Sequence, residues 1–388
     1  MRILLVNRFY GGTQVPTGRM LGDVADDLAA AGHEVTVLTS TGRYSGAGVS
    51  GATARREAVN MVQVHIPGWL PRLGAWICFS WLARRKIPAT SWEVCVLMTD
   101  PPLLPWLATS LRRARPNDRL VVWLMDLYPE ALAASGRLAR AGWTYRALLA
   151  RRQAALRAAD LLICLGERQK DLLGPEVTAE VAIAVVPPWD GRDDIRPSAD
   201  ADLQRMALYA GNLGEAHGFR EILAALPHLP NDWTVRFAVR GAKAEALAEA
   251  APRATRGNAG AKLEITGYVS EEQTPRLLAA ARVHLITMSP DWSGVVVPSK
   301  LYGCVRTGRQ VLFIGPEDSD TAEEIRSNAW GAVLPPGACG ENVAQAILEL
   351  AARPTSGASG NTGAARVAEL VVGMGQRDRG TTDDRTTG

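Results

Sequence analysis

The sequence is short of lysine. Only Lys86, Lys170, Lys243, Lys262 and Lys300 occur among its 43 basic residues, the others being arginine. Codon usage accounts for the scarcity in general and leaves the position of each lysine the more informative. Net charge is also small, +3 from 43 basic and 40 acidic residues, which excludes a strong protein-wide field for nucleic acid. The five cysteines (Cys78, Cys95, Cys164, Cys304, Cys339) are scattered and form no C-x-x-C pair. Neither a structural zinc site nor a disulfide framework is expected, and a reducing cytoplasm fits best. Cys95 in VCVLM and Cys164 in LLICL read as small buried hydrophobes. No apolar run reaches the ~20 residues that span a bilayer. The apolar core of MRILLVNRFYGG is too short for a signal peptide and reads as a first buried strand.

What is present is an ordinary globular balance: 388 residues, 47% hydrophobic and 21% charged, enough for two domains. Short apolar runs alternate with helical patterns, the signature of βαβ units around parallel sheets. Strands are predicted at 3–6, 35–39, 62–66, 94–98, 120–125, 161–165 and 183–187. A second set follows at 206–211, 235–239, 263–267, 283–287, 311–315 and 331–335. Met20, Leu21, Val24 and Leu28 recur at helical spacing within Thr17 to Ala31, closed by Gly32. Helices are likewise read at Glu271 to Arg282 and Ala322 to Asn328. The polar, proline-broken stretch 187–202 reads as a linker. The expected domains are therefore 1–190 and 191–353. Residues 354–388, rich in Gly, Ser and Thr, form a largely disordered tail with a short helix from Ala364 to Val372.

Parallel α/β sheets bind ligands at the carboxyl ends of their strands, so the residues just after each strand are the candidates. GGTQVPTGR (11–19) leads into a helix. It offers Gly11, Gly12 and Thr13 to a ligand, but lacks the dinucleotide and P-loop glycine patterns. WLMDLYPE places Asp126 and Glu130 after a strand, as TDPP places Asp100. Capping is favoured for Asp100, while Asp126 divides evenly between cap and functional carboxylate. The apolar, aromatic segment 69–86 carries Arg72, Arg84, Arg85 and Lys86 at its edges. It suits either an anionic membrane surface touched through Trp76 and Trp81, or a buried helix with a solvated end. In the second half, YAGNLGEAHGF offers Gly211, Asn212, Gly214 and His217 to a diphosphate. RGAK supplies Arg240 and Gly241, TGYVS supplies Gly267, Tyr268 and Val269, and SPDWSGVVVPSKLYG leads through Ser299 to Lys300 and Leu301. A lysine at a helix start is unfavourable without a bound anion, so Lys300 points to a phosphate.

In this order, RILLVNRFYGG, AAAGHEVTVLTS, YAGNLGEAHGF, TGYVS and PSKLYG followed by TGRQVLFIGP resemble the GT-B glycosyltransferases of the large retaining family 4, from Met1 to about Leu350. The chain looks most like enzymes that glycosylate bacterial surface-polysaccharide intermediates. The resemblance implies two Rossmann-like domains facing across a cleft. The C-terminal one would bind a nucleoside diphosphate sugar, UDP or GDP, and the N-terminal one an acceptor: a saccharide, a lipid-linked intermediate or a small natural product. It implies donor contacts from Gly211, Asn212, Gly214, Arg240, Gly241, Gly267, Tyr268, Val269, Gly294, Val295, Ser299 and Leu301. Catalytic roles would fall to Asp126, His217 and Lys300, and acceptor contacts to Gly11, Gly12, Thr13 and Glu130. No metal or resident cofactor is implied, and retention by front-face attack needs no protein nucleophile. Two departures from the pattern stand out. Asn212 and His217 replace arginine and lysine, and no glutamate occupies Val295 or Gly303. The alternatives are a nucleotide-sugar 2-epimerase and a non-catalytic sugar-nucleotide-binding subunit. The expected location is the cytoplasm, with peripheral contact to the inner membrane face.

Overall fold

The computed structural model describes residues 1–11, 15–41, 58–192, 194–197, 204–257, 259–270, 272–353 and 363–376. The chain divides into two compact units. The first, Met1–Gly191 with the C-terminal segment from Asn361, is built on seven parallel strands: β1 (Arg2–Val6), β2 (Glu34–Ser40), β3 (Val59–Val64), β4 (Val94–Met98), β5 (Arg119–Trp123), β6 (Leu161–Cys164) and β7 (Ala182–Val185). Their order is β3-β2-β1-β4-β5-β6-β7. The second, Arg192–Gly360, has β8 (Met206–Asn212), β9 (Thr234–Arg240), β10 (Lys262–Thr266), β11 (Val283–Thr287), β12 (Gln310–Ile314) and β13 (Gly331–Leu334). Here the order is β10-β9-β8-β11-β12-β13, again all parallel.

Central strands such as VCVLM and QVLFI are buried along their whole length. Helices cover both faces of a parallel sheet, so its strands read as continuous apolar runs. The edge strand β3 is only half-buried and polar at Asn60 and Gln63, which is why it lies three residues earlier than its apolar run suggests. The helix Pro16–Ala30 opens on Pro16 at its first turn and buries Met20, Leu21, Val24 and Leu28. The chain turns out of it at Gly32 with φ +81°.

The C-terminal segment departs from its expected place in a separate tail. The helix Gly363–Gln376 is longer than anticipated and packs on the helix Pro16–Ala30 and on β4 and β5. Val367 and Val371 are fully buried there. A Cβ on Gly363 would overlap the Trp189 ring, and one on Gly375 would overlap Met1 Sδ. Trp189 in turn stacks on Trp123 with centroids 5.6 Å apart and donates its indole N–H to Asp23. The disorder expected for 354–362 and 377–388 falls outside the described residues, as do parts of the 187–202 linker. Among the described residues no helix is long and apolar enough to cross a membrane.

Candidate active site

Each sheet has one point where the strand order reverses, and adjacent carboxyl ends there lead away in opposite directions to leave a crevice. In the second unit this point lies between β8 and β11. Gly211 and Asn212 end β8, with Gly214 and His217 in the turn after it, while Arg240 ends β9 and Gly241 follows. Gly267, Tyr268 and Val269 follow β10. Gly294, Val295 and Ser299 lie between β11 and the helix Lys300–Val305.

Lys300 opens that helix, and its ammonium reaches back across the switch point. It donates to Tyr209 Oη at 2.6 Å and to the Asn212 carbonyl at 3.2 Å, and lies 4.3 Å from the Tyr209 ring centroid. Both acceptors are neutral, and among the described residues no carboxylate pairs with it. Burial pushes its pKa down to about 7, with Cys304 opposing. The buried His217 ring lies beside Tyr209, and its Nδ1 is 2.6 Å from the Thr287 carbonyl at the end of β11. A carbonyl only accepts, so Nδ1 carries the proton. Burial, then Lys300, hold the ring well below its ordinary pKa and therefore neutral at pH 7. Nε2 is then an acceptor, which corrects the expectation that His217 donates to a diphosphate. Thr287 Oγ1 braces the same loop, donating to Gly218 O and accepting from Gly218 N. Lys243 donates to the carbonyls of Glu215 and His217 at 2.8 and 2.6 Å, so it fastens the turn rather than reaching outward.

Asn212 lies over a glycine that could not be otherwise. Gly241 has φ +123°, and a Cβ there would come within 2.4 Å of Asn212 Oδ1 and 2.7 Å of the Leu213 carbonyl. Arg240 packs its guanidinium 4.0 Å from the Tyr268 ring centroid, joining the ends of β9 and β10 in one platform. Val295 and Leu301 behave differently from the expected donor contacts. Their side chains are buried, and their N–H groups are taken by the carbonyls of Trp292 and Pro298. Tyr209, Thr287 and Lys243 complete the site. Tyr209 and Lys243 stood in the quoted segments without a role, and nothing in the sequence marked Thr287.

In the first unit the reversal lies between β1 and β4. Arg8 follows β1 and Asp100 follows β4, and they form an ion pair at 3.3 Å. The Arg8 amide also donates to the Asp100 carbonyl at 2.8 Å. Asp100 is thus a pairing partner and not the helix cap expected of it. Next to them, after β5, Asp126 opens to solvent. The protein packed around it, then the Asp100 carboxylate, push its pKa up to about 6 against the pull of Arg72. It caps nothing either, since the helix Glu130–Ala134 starts at Pro129 without a side-chain cap. Burial, with Asp126 adding to it, pushes the Tyr128 phenol up. Tyr128 meets Trp76 edge-on at 6.1 Å, and Arg72 lies 4.8 Å from the Trp76 ring centroid. Gly11 turns at φ +62° and spends its N–H on the Gly18 carbonyl. Gly12 and Thr13 lie outside the described residues. Glu130, expected on the acceptor side, is buried and paired with Arg152 at 3.0 Å, so it holds helices together instead. Among the described residues no group of three His, Cys, Asp or Glu side chains is placed to hold a metal ion.

Several known proteins resemble this chain in sequence and fold. Residues 17–189 match the family described as Glycosyl transferase 4-like domain. Probable glycosyltransferase WbjE from Pseudomonas aeruginosa is 23% identical over 347 residues, covering 86% of each chain. Among solved structures, sucrose-phosphate synthase from Thermosynechococcus elongatus superposes with a TM-score of 0.70 at 17% identity over 98% of both chains. HepE from Anabaena, solved with UDP and glucose, gives 0.62 at 15% identity over 98% of this chain and 99% of its own. Residues 17–189 thus match a glycosyl transferase 4-like domain, and the two parallel-sheet α/β units have the GT-B fold of these full-length structural neighbours.

Proposed function

We propose that the chain transfers a sugar from a uridine diphosphate sugar, bound by the second unit, to a hydroxyl of an acceptor bound by the first. The observation that carries the donor assignment is Lys300, a half-buried cation that among the described residues rests on neutral oxygens at the β8/β11 switch point. A diphosphate arriving there supplies the counter-charge it lacks. In the transition state the leaving diphosphate gains charge, and a positioned ammonium stabilises that gain. The neutral His217 Nε2 accepts a hydroxyl of the donor sugar, and the Arg240–Tyr268 platform carries the base. UDP is chosen because HepE, a structural neighbour of the whole chain, is solved with UDP and glucose.

On the acceptor side Asp126 is poised between its two protonation states near neutral pH. Its carboxylate accepts a hydrogen bond from the attacking hydroxyl and orients it. The hydroxyl oxygen bonds to the anomeric carbon on the face from which the diphosphate leaves as the carbon–phosphate oxygen bond breaks. Its proton passes to the leaving phosphate, and the anomeric configuration is retained. A saccharide is the acceptor class in this reading, in keeping with the resemblance to enzymes of surface-polysaccharide assembly.

Thermal-shift titration with UDP-, GDP- and dTDP-sugars tests the donor. A ligand at 100 times its Kd adds about 2.7 kcal/mol to stability, and UDP-glucose gives that response while GDP sugars do not. Equal responses to all three refute the assignment of base. Isomerisation of the sugar nucleotide without acceptor would instead identify a 2-epimerase.

A further inference from the structure

The helix Arg72–Lys86 has apolar residues on both sides. Ala75, Phe79 and Ala83 are buried against the first unit. On the outward side, Leu73 is 60% exposed, Ile77 53% and Trp81 50%, and Trp69 just ahead of the helix is 80% exposed. These four are spaced every four residues, one stripe about 18 Å long at 1.5 Å per residue. A solvated helix carries polar residues at such positions. The stripe also differs from the expected pair, because Trp76 turns inward to Tyr128.

Charge identifies the occupant. No acidic residue occurs between Glu57 and Glu93. Arg84, Arg85 and Lys86 are exposed at the end of the stripe, with Arg85 stacked 3.5 Å from the Trp81 ring centroid. A second copy of the chain on this face would meet no acid from the helix or its flanks, residues 58–92, to pair with those basic ends. An anionic lipid surface suits both parts, taking tryptophans at headgroup level, aliphatic residues below them and cations at its phosphates.

We infer that the stripe Trp69–Leu73–Ile77–Trp81 lies in the interface of an anionic bilayer, with Arg84, Arg85 and Lys86 on its phosphates. The inward shoulder of the same helix, Arg72 and Trp76, touches the cluster around Asp126. Docking therefore brings the acceptor side to headgroup depth and selects an acceptor carried by a lipid. This last step rests on the acceptor assignment proposed above, whereas the docking itself does not.

The test is co-sedimentation of the full chain with vesicles of phosphatidylcholine, alone or mixed with phosphatidylglycerol. The chain pellets with the anionic vesicles and is released by salt. Trp69→Ser with Trp81→Ser lowers partitioning by at least about tenfold, and replacing Arg84, Arg85 and Lys86 by glutamine lowers it by about a hundredfold. Both variants retain the thermal shift given by UDP-glucose. Three results overturn the inference: no binding to anionic vesicles, binding that both variants preserve, or a solution dimer that the tryptophan variant dissociates. Loss of the UDP-glucose response with vesicle binding intact would instead count against the donor assignment alone.

Discussion

Replacing Lys300 by methionine separates a phosphate-binding lysine from a structural one. In the ligand-free protein its pKa is pushed down to about 7, so near pH 7 half of the population is neutral. A diphosphate binds the charged form and restores the lysine toward its ordinary value of 10.5. Binding therefore takes up a proton above pH 7 and weakens by up to about tenfold for each further pH unit. For UDP-glucose, whose phosphates stay ionised throughout, the Kd rises about 25-fold from pH 6.5 to 8.5. Lys300→Met removes one charge-assisted hydrogen bond worth about 1.5–3 kcal/mol, so at pH 6.5 it binds about 10- to 150-fold more weakly. Its Kd is flat with pH, and the two curves converge as pH rises. Stability runs the other way. The folded protein binds fewer protons than the unfolded chain between about pH 7 and 10.5, so ligand-free stability rises with pH across that window. Methionine, free of the desolvated charge, melts higher than lysine at pH 6.5. Isothermal titration calorimetry and thermal melts at matched pH measure both effects. A parent Kd independent of pH, or a variant that binds as tightly as the parent at pH 6.5, refutes the reasoning.

Other substitutions address the rest of the site. Arg152→Met strands Glu130 in a buried environment and costs about 3–5 kcal/mol, read by urea unfolding, with little change in acceptor KM. Asp126→Asn removes the acidic limb of kcat/KM near pH 6 that the parent shows, and slows transfer at pH 7 by about a hundredfold or more; a limb that persists in the variant assigns it to another group. Gly241→Ala, forced into a positive φ against Asn212, costs about 1–3 kcal/mol of stability and weakens UDP-glucose binding, checked by melting and calorimetry together.

The strands were legible because each buried parallel strand is an uninterrupted apolar run, whatever surrounds it. The edge strand β3 was displaced because exposure lets polar residues into its pattern. Candidate positions at strand ends were legible for the same reason, since topology makes every carboxyl end a place to look. Their partners were not. Lys300 meets Tyr209 across 91 positions and Arg8 meets Asp100 across 92, and no local pattern encodes which strands become neighbours. Glu130 and Asp126 look alike in sequence, each following an apolar run. Arg152, brought in by a later helix, commits Glu130 to packing and leaves Asp126 available for the acceptor role proposed above. The helix Arg72–Lys86 was ambiguous because it is apolar on both sides, so its sequence does not reveal which tryptophan faces inward.

The return of the C-terminal helix to the first unit also bears on biosynthesis. The second unit is one continuous stretch and has all its strands once residue 334 has emerged from the ribosome. The first unit begins earlier but finishes later. Until Gly363–Gln376 is made, the surface of Pro16–Ala30, β4 and β5 that receives Val367 and Val371 stands uncovered. The unit translated first is therefore completed last, and its nascent form presents an apolar surface open to chaperones for the whole time the second unit is being synthesised.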